Sequence, residues 1–280
     1  MSAPASPTAG ERYPQRIVCL TEETTETLYL LGEQDRIVGI SGFTVRPPQA
    51  RREKPKVSAF TSAKIDKILA LEPDLVLGFS DLQADIAADL IRAGIAVHVF
   101  NHRSVEQILD MITVLGGLVG CHARAQGLVR DLETGLEEIA MQARELPRRP
   151  RVYFEEWDEP PIAAIRWVSD LIQLAGADNV FIDLAEKPLG KDRIIAAHQE
   201  IIDAAPDIII GSWCGKKFRP ERVAERPGYA QIPAVRRGHL YEVKSAIILQ
   251  PGPAALTDGV RALADIIRHW AEDPGATTNG

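Results

Sequence analysis

One local pattern occurs twice in the sequence, once in each half. Residues 68–78 read ILALEPDLVLG and residues 201–211 read IIDAAPDIIIG. Proline ends a helix, aspartate can satisfy the turn, and an apolar triplet before glycine is typical of a central parallel strand, with the glycine freeing the backbone where the strand ends. Pro-Asp before an apolar run is common in α/β proteins, but the matching spacing predicts the same helix-and-strand unit in two lobes.

A long segment without proline lies between the two copies, within residues 121–147. Its apolar residues keep helical spacing, which predicts one long helix that ends at Pro147 and Pro150. The apolar positions are Ala125, Val129, Leu132, Leu136, Ile139, Ala143 and Leu146. The sequence therefore predicts an α/β fold of two lobes with largely parallel central sheets, joined by one long rigid α-helix.

Apolar strand-like runs alternate with helical patterns on both sides of this helix, which is typical of α/β lobes. The runs are residues 16–20, 36–40, 75–77 and 96–100 before it, and 151–154, 208–210 and 240–242 after it. Helices are predicted from Ser104, near residues 168–175, and at the end of the chain, where Leu256, Val260, Leu263, Ile267 and Trp270 share a face. We expect a disordered leader (1–15), a first lobe (16–120), the helix (121–147), a second lobe (148–273) and a disordered tail (274–280).

Composition and charge exclude several functions. The net charge of -7 offers no basic surface to nucleic acid. The first residues have no apolar signal-peptide core, and no apolar stretch approaches the roughly 20 residues that span a bilayer, so a cytoplasmic location is expected. The three cysteines, Cys19, Cys121 and Cys214, have no zinc-ligand spacing. His98 and His102 are predicted to lie on a strand end and a loop, so we expect no metal site and no cofactor.

Short motifs in a fixed order resemble a known family. They are RIVCL (16–20), TE (25–26), VGIS (38–41), RPPQ (46–49), KIDKI (64–68), LEPDLV (71–76) and LAGADNVF (174–181). Together they resemble the cobalamin and ferric-siderophore receptors of ABC importers, which belong to class III of the periplasmic binding proteins. The resemblance spans nearly the whole chain and implies a monomeric binding protein, with no enzymatic activity, that delivers a corrinoid or related metal chelate to a transporter permease.

The resemblance also implies that aromatic side chains on loops at the strand ends contact a ligand held between the lobes. These are Phe43, Phe60, Phe79, Trp157 and Trp213. Aromatic faces bury much area of a large flat ligand at little cost in rotamer entropy. Each of them could instead belong to a lobe core, with Trp157 and Trp213 favoured for the site because each is predicted to follow a strand directly.

Family receptors dock onto the transporter through one acidic residue on each lobe. The matching positions here are Asp66 and, in the second lobe, Gln199 with Glu200 beside it. Either acid could equally lie on a solvated helix face. The departure at Gln199 leaves Glu200 as the second docking residue.

Two loops carry acids where the family has other residues. Glu22 and Glu23 replace small and apolar residues in the first loop, and the second-lobe loop, residues 155–159, reads EEWDE. If both loops face the cleft, an acidic surface would favour a neutral or cationic ligand over an anionic siderophore. The carboxylates could also point to solvent.

Two other functions remain open from the sequence. Cys214 follows a predicted strand, where a nucleophile could lie, but no pattern assigns it a base, so a ligand-facing or structural thiol is favoured over an enzyme. The chain could also be a cytosolic metabolite-binding or sensing protein on the same scaffold. The rigid segment 250–253 is interpreted as a cleft wall together with Lys244 and Ser245.

Overall fold

The computed structural model describes residues 12–273, which form two compact units. The first unit comprises the residues up to His102 and Glu106–Asp131, and the second comprises Arg103–Val105 and the residues from Leu132 onward. No helix among residues 12–273 is long and apolar enough to cross a membrane.

The predicted leader and tail lie outside the described residues, except for residues 12–15. The backbone N–H of Gln15 donates a hydrogen bond to the Asp74 carboxylate at 2.6 Å. The chain is thus already part of the first unit at this residue.

The first unit contains a sheet of five parallel strands in the order β3-β2-β1-β4-β5. The strands are β1 Ile17–Cys19, β2 Ile37–Ser41, β3 Lys56–Ser58, β4 Leu75–Phe79 and β5 Val97–Phe100. The helices are α1 Glu22–Leu30, α2 Ala50–Glu53, α3 Ile65–Leu69, α4 Ala84–Arg92 and α5 Val105–Leu118, with 3-10 turns at Gln34–Arg36 and Asp81–Gln83. The central strand β1 is completely buried, as its unbroken apolar run predicts.

The predicted long helix is present as α6, His122–Arg144, with 23 residues. Its buried side chains include Ala125, Leu132, Leu136 and Ile139, which follow helical spacing. The division between the two units falls inside this helix, after Asp131.

The second unit has a sheet in the order β10-β9-β6-β7, with the short strand β8 also on β6. The strands are β6 Arg151–Asp158, β7 Pro161–Ala163, β8 Asp178–Asn179, β9 Ile208–Gly211 and β10 Leu240–Glu242. All neighbours are parallel except β6 and β7, which form an antiparallel hairpin. The prediction of a strand that ends at Phe154 was therefore wrong, because β6 continues for four more residues and pairs with β7.

The second unit contains seven α-helices among its described residues. They are α7 Arg166–Leu174, α8 Ile182–Ala185, α9 His198–Ala204, α10 Pro220–Ala224, α11 Pro233–Arg237, α12 Ser245–Ile248 and α13 Val260–Glu272, with 3-10 turns at Gly190–Asp192 and Tyr229–Gln231 and a π-helical turn at Ala255–Gly259. The predicted apolar face of the closing helix is confirmed, since all five of its residues from Leu256 to Trp270 are buried.

The repeated Pro-Asp pattern has the same structural role in both units. The Asp74 carboxylate accepts a hydrogen bond from the backbone N–H of Arg16 at 2.9 Å, and Asp207 accepts one from Arg151 at 2.9 Å. Arg151 is the first residue of β6, and Arg16 immediately precedes β1. Each aspartate therefore ties the start of its own strand to the start of the central strand beside it.

The residue two positions before each aspartate adopts a left-handed backbone. Glu72 has φ 46° and Ala205 has φ 43°. In both copies the helix ends with a residue in the left-handed conformation, and the proline that follows prevents the helix from continuing. Neither position is glycine, so each carries a steric cost of about 1–2 kcal/mol.

The glycine that ends each copy is required by packing. A Cβ on Gly211 would lie 1.9 Å from the Phe218 ring, and one on Gly78 would lie 2.9 Å from Oε1 of Gln83. The backbone φ of Gly78 and of Gly211 is not positive. The expectation that glycine frees the backbone at the strand end was therefore wrong, because the need is for close approach.

The left-handed residue gives a direct test of this turn. Replacing Ala205 by glycine should raise the free energy of unfolding by about 1 kcal/mol, because glycine adopts positive φ without steric cost. Replacing its neighbour Ala204, the last residue of α9, should lower it by up to about 1 kcal/mol. Urea denaturation of both variants measures the two values, and equal losses in both would contradict the assignment.

Candidate ligand-binding site

Aromatic residues gather at the carboxyl edge of the first sheet, where the ends of parallel strands meet. Phe43 follows β2 and is 57% exposed, and Phe60 follows β3 and is half-buried. Phe79 is the last residue of β4 and is buried, with its ring centroid 4.9 Å from that of His102. Phe43 and Phe60 thus have solvent-accessible surface, whereas Phe79 is buried at the end of β4.

Gln83 joins two of these loops, and sequence reasoning missed it because no local pattern marks it. Its buried side chain donates from Nε2 to the carbonyl of Phe60 at 2.8 Å and accepts at Oε1 from the N–H of Phe79 at 2.9 Å. Ser80 follows β4 with φ 71°, a backbone that is uncommon outside glycine. The loops after β3 and β4 are therefore held in one arrangement by a single buried amide.

The carboxylates of the first loop are buried at the start of α1. Glu22 and Glu23 have almost no exposed surface. Burial raises the pKa of Glu22, and it raises the pKa of Glu23 to about 8, against the opposing effect of a hydrogen bond from the Thr21 hydroxyl. Glu26 is paired with Arg46 at 2.9 Å. At neutral pH Glu23 is therefore mostly protonated and contributes little negative charge.

A buried ionic network lies behind the second loop, around Glu155. This carboxylate is completely buried and accepts hydrogen bonds from both terminal nitrogens of Arg226, at 2.6 and 2.9 Å. It also accepts from the Tyr153 hydroxyl at 2.9 Å and from Nε1 of Trp213 at 3.0 Å. Burial raises the pKa of Tyr153, so its hydroxyl remains a donor. Glu155 is thus a structural residue that fixes the ring of Trp213.

The other acids of this loop are also paired. Both carboxylate oxygens of Glu156 accept from Nη2 of Arg193, at 2.8 and 2.9 Å, and Asp158 forms an ion pair with Lys216. Only Glu159, at the hairpin turn, is exposed. Little of the acidic surface considered from the sequence is accessible, because Glu22, Glu23 and Glu155 are buried and Glu156 and Asp158 are paired with cations. Contact between Glu22 and a ligand remains a prediction.

Two tryptophans enclose a lysine at the edge of the second sheet. Nζ of Lys216 lies 4.3 Å from the ring centroid of Trp157 and 5.2 Å from that of Trp213. Trp157 is half-buried and lies within β6, so it does not follow the strand as predicted. Trp213 lies two residues after β9 and is buried in the core of this unit. Trp157 therefore presents more ring surface than Trp213.

Ser245 and Cys214 lie in the same part of the second unit. Ser245 is half-buried at the start of α12 and lines an open pocket of about 370 Å³ with Trp213 and three lysines. Cys214 is exposed in the loop after β9. The structure thus brings Trp213 together with Ser245 and Lys244, which the sequence grouped, and adds Lys216 and Lys217, which sequence reasoning did not place at the site.

The two predicted docking residues lie on short helices. Asp66 is exposed on α3 of the first unit, and Glu200 is exposed on α9 of the second. Glu200 also accepts a hydrogen bond from the N–H of Ala197 at 2.9 Å, which satisfies the start of its helix. Their role in docking remains a prediction.

His98 and His102 lie where the sequence placed them, on β5 and in the loop after it. Burial lowers the pKa of His98. Residues 12–273 contain no group of three or more side chains that could hold a metal ion. The absence of a resident metal remains a prediction.

The Glu155 network predicts a large effect on stability. Replacing Glu155 by Gln should lower the free energy of unfolding by about 3 kcal/mol, because it leaves the Arg226 charge buried without a counter-ion. The matched change Glu186→Gln breaks an exposed pair with Arg166 and should cost under about 1 kcal/mol. Urea denaturation measures both, and similar costs would contradict the network.

The buried Glu23 predicts a pH dependence of stability. Burial raises its pKa from 4.5 to about 8 in the folded chain, so the folded chain holds this proton more tightly. The resulting stability is complete below the lower value and is lost as pH rises through the higher one. Between pH about 5 and 8, the free energy of unfolding of the parent chain should therefore fall by up to about 1.4 kcal/mol per pH unit. Glu23→Gln should not show this fall.

Thermal or urea unfolding at several pH values measures this dependence, and Glu137→Gln is the matched control because Glu137 is exposed on α6. The control should follow the parent chain at every pH. Parallel curves for Glu23→Gln and the parent chain would show that Glu23 is ionised in the fold.

Comparison with known proteins identifies the family. Residues 17–247 match the model of a family described as periplasmic binding protein. The uncharacterized ABC transporter substrate-binding lipoprotein YvrC of Bacillus subtilis is 25% identical over 266 residues, covering 92% of this chain and 81% of the relative. The vitamin B12-binding protein of Vibrio vulnificus is 24% identical over 266 residues, covering 92% and 90%.

A solved structure supports the fold. The periplasmic heme-binding protein RhuT from Roseiflexus sp. RS-1 is 24% identical, with a TM-score of 0.76, and the alignment covers 90% of this chain and 99% of that one. The predicted α/β class with parallel central sheets is confirmed by this likeness.

The expected cytoplasmic location was wrong, since the matching family is described as periplasmic and the Bacillus relative is a lipoprotein. The sequence expectation depended on the composition of the first residues and on the lack of a long apolar stretch, which say less about location than membership of a family does. The match over residues 17–247 places this chain in the periplasmic binding protein family.

Proposed function

We propose that the chain is the substrate-binding component of an ABC importer and binds a corrinoid or related metal chelate without turnover. The observation that carries the proposal is that each unit, taken by itself, has accessible aromatic rings near the carboxyl ends of its strands. Phe43 is exposed, and Phe60 and Trp157 are half-buried. Trp157 packs partly against the core of the second unit, but rings that keep accessible surface near strand ends suit a flat, partly apolar ligand.

The relatives support this class of ligand. One is named for binding vitamin B12, and a structure of the same fold is named for binding heme. Both ligands are large metal chelates built on a flat macrocycle. Ring stacking, with few polar contacts, is the usual way in which a binding pocket buries such a surface.

The buried charges support binding in preference to catalysis. Glu155 is fully engaged with Arg226, Tyr153 and Trp213, so it has no capacity to move a proton to a ligand. Its position instead keeps the loop around Trp213 rigid, which lowers the entropy cost of binding. We propose no cofactor beyond the transported ligand.

The transporter permease is the proposed partner, with the chain acting as a monomer. Asp66 on α3 and Glu200 on α9 are the proposed contacts, and both are exposed. Exposed carboxylates can steer association with a basic surface, an effect that salt would weaken.

The exposed rings give the test of the proposed function. Cobalamin, cobinamide, haem and a ferric siderophore are each titrated against the purified chain while tryptophan fluorescence is recorded. We expect saturable quenching by at least one chelate. Phe43→Ala and Trp157→Ala should each weaken that binding by about 1–3 kcal/mol, the range for aromatic residues that dominate an interface.

Ile91→Ala is the control, since Ile91 is 60% exposed on α4 and lies outside the strand-end loops. It should leave the affinity unchanged. Trp213 is unsuitable for this test because it is buried and bonded to Glu155. Parent-like affinity in both ring variants would remove the aromatic surface from the site, and no binding of any chelate would contradict the proposed function.

A further inference from the structure

The pocket beside β9 and β10 in the second unit is lined by positive charge. Its lining includes Lys216, Lys217 and Lys244, with Glu242 as its single acidic member among the described residues. Its volume of about 370 Å³ and its open mouth leave room for a substituent of a ligand, and too little for a whole macrocycle.

Two of the lysines are held in place. Lys216 lies between the rings of Trp157 and Trp213 and pairs with Asp158. Lys244 pairs with Glu242. Partial burial works against it, but hydrogen bonds from Lys244 and from the N–H of Phe218 lower the pKa of Glu242, so this acid stays ionised.

Lys217 forms no such ion pair, although it lies close enough to Glu242 to help lower the pKa of that carboxyl. It is exposed, and within residues 12–273 its side chain makes no ion pair or hydrogen bond. Of the three lysines, Lys216 is paired with Asp158 and Lys244 with Glu242. The one positive charge without a paired acid is that of Lys217. The pocket therefore has an ammonium group available to a ligand.

The backbone adds donors at the same place. In the described chain, the N–H groups of Gly215 and Lys217 donate no hydrogen bond. Gly215 has φ 76°, and a Cβ built there meets nothing within 4 Å. Turns that mix right- and left-handed residues direct N–H groups into concavities that bind anions. Ser245 also lines the pocket, and its hydroxyl is a further donor.

We propose that this pocket receives an anionic substituent of the bound chelate, either a carboxylate or a phosphate diester, and that Lys217 is its principal cation. The inference rests on the proposed function and narrows it, because it selects chelates that carry such a group. It also reverses the preference for neutral or cationic ligands that an acidic surface would have imposed.

Two matched pairs of ligands test this selectivity and separate the two anions. Cobalamin carries a phosphate diester that cobinamide lacks, and haem carries two carboxylates that its dimethyl ester lacks. The parent chain should bind the anionic member of at least one pair about tenfold more tightly, the effect expected of one charge-assisted hydrogen bond. Which pair responds identifies the anion.

Three variants assign the effect to the pocket. Lys217→Ala should reduce the preference to near one, and Lys217→Arg should retain it. Lys187→Ala is the matched control, because Lys187 is exposed in the same unit but outside the pocket, and it should behave as the parent chain.

A parent chain that binds both members of each pair equally, or a preference unchanged in Lys217→Ala, overturns the pocket assignment and leaves chelate binding standing. If no chelate binds, the proposed function fails, and citrate then decides the pocket. Saturable binding of citrate that is lost in Lys217→Ala would support an anion site independent of chelates. No citrate binding would overturn it.

Discussion

The whole arrangement depends on one hydrogen-bonded turn that occurs once in each unit. Asp74 and Asp207 each accept from the backbone N–H at or just before the central strand, while the preceding residue pair, left-handed and then proline, ends a helix. This fixes where two adjacent parallel strands begin. Because adjacent strands are parallel, their carboxyl ends lie at the same edge of each sheet, and the loops of the candidate site start from those ends.

The acids of the site illustrate how burial decides what a charged residue does. Glu155 is buried with its side-chain oxygens bonded to Arg226 and two further donors, whereas burial raises the pKa of Glu23 to about 8, so this carboxyl keeps its proton at neutral pH. Neither presents negative charge to a ligand. The charge that remains accessible in the pocket of the second unit is positive and belongs to Lys217, so the electrostatic character of that surface is opposite to what the sequence of acids indicates.

Features that depend on neighbouring residues could be predicted from the sequence. The helix α6 and the closing helix α13 have apolar residues at helical spacing, and the strand in each Pro-Asp repeat is a buried apolar run, so local pattern and burial agree. The loop position of Phe43 follows from the same reasoning, because it comes directly after β2.

Features that depend on distant residues could not be predicted. Glu155 and Arg226 are 71 positions apart, and no periodicity reports such a pair. The extension of β6 past Phe154 depends on pairing with β7. The β7 backbone supplies hydrogen-bond partners for a segment rich in charged residues, which would otherwise bond to solvent. Trp157 and Trp213 were both predicted to follow a strand directly. Trp213 is instead held in the core by Glu155, and Trp157 lies in the β6–β7 hairpin.

The central claim is that this chain binds a metal chelate as an intact ligand. Native mass spectrometry of the purified chain, mixed with equal amounts of cobalamin, haem and a ferric siderophore, measures this directly in one competition. If the chain binds a chelate without altering it, the spectrum should show a one-to-one complex whose added mass is that of one unmodified chelate. A chain that remains free at micromolar concentrations of all three, or that releases an altered ligand, would contradict it.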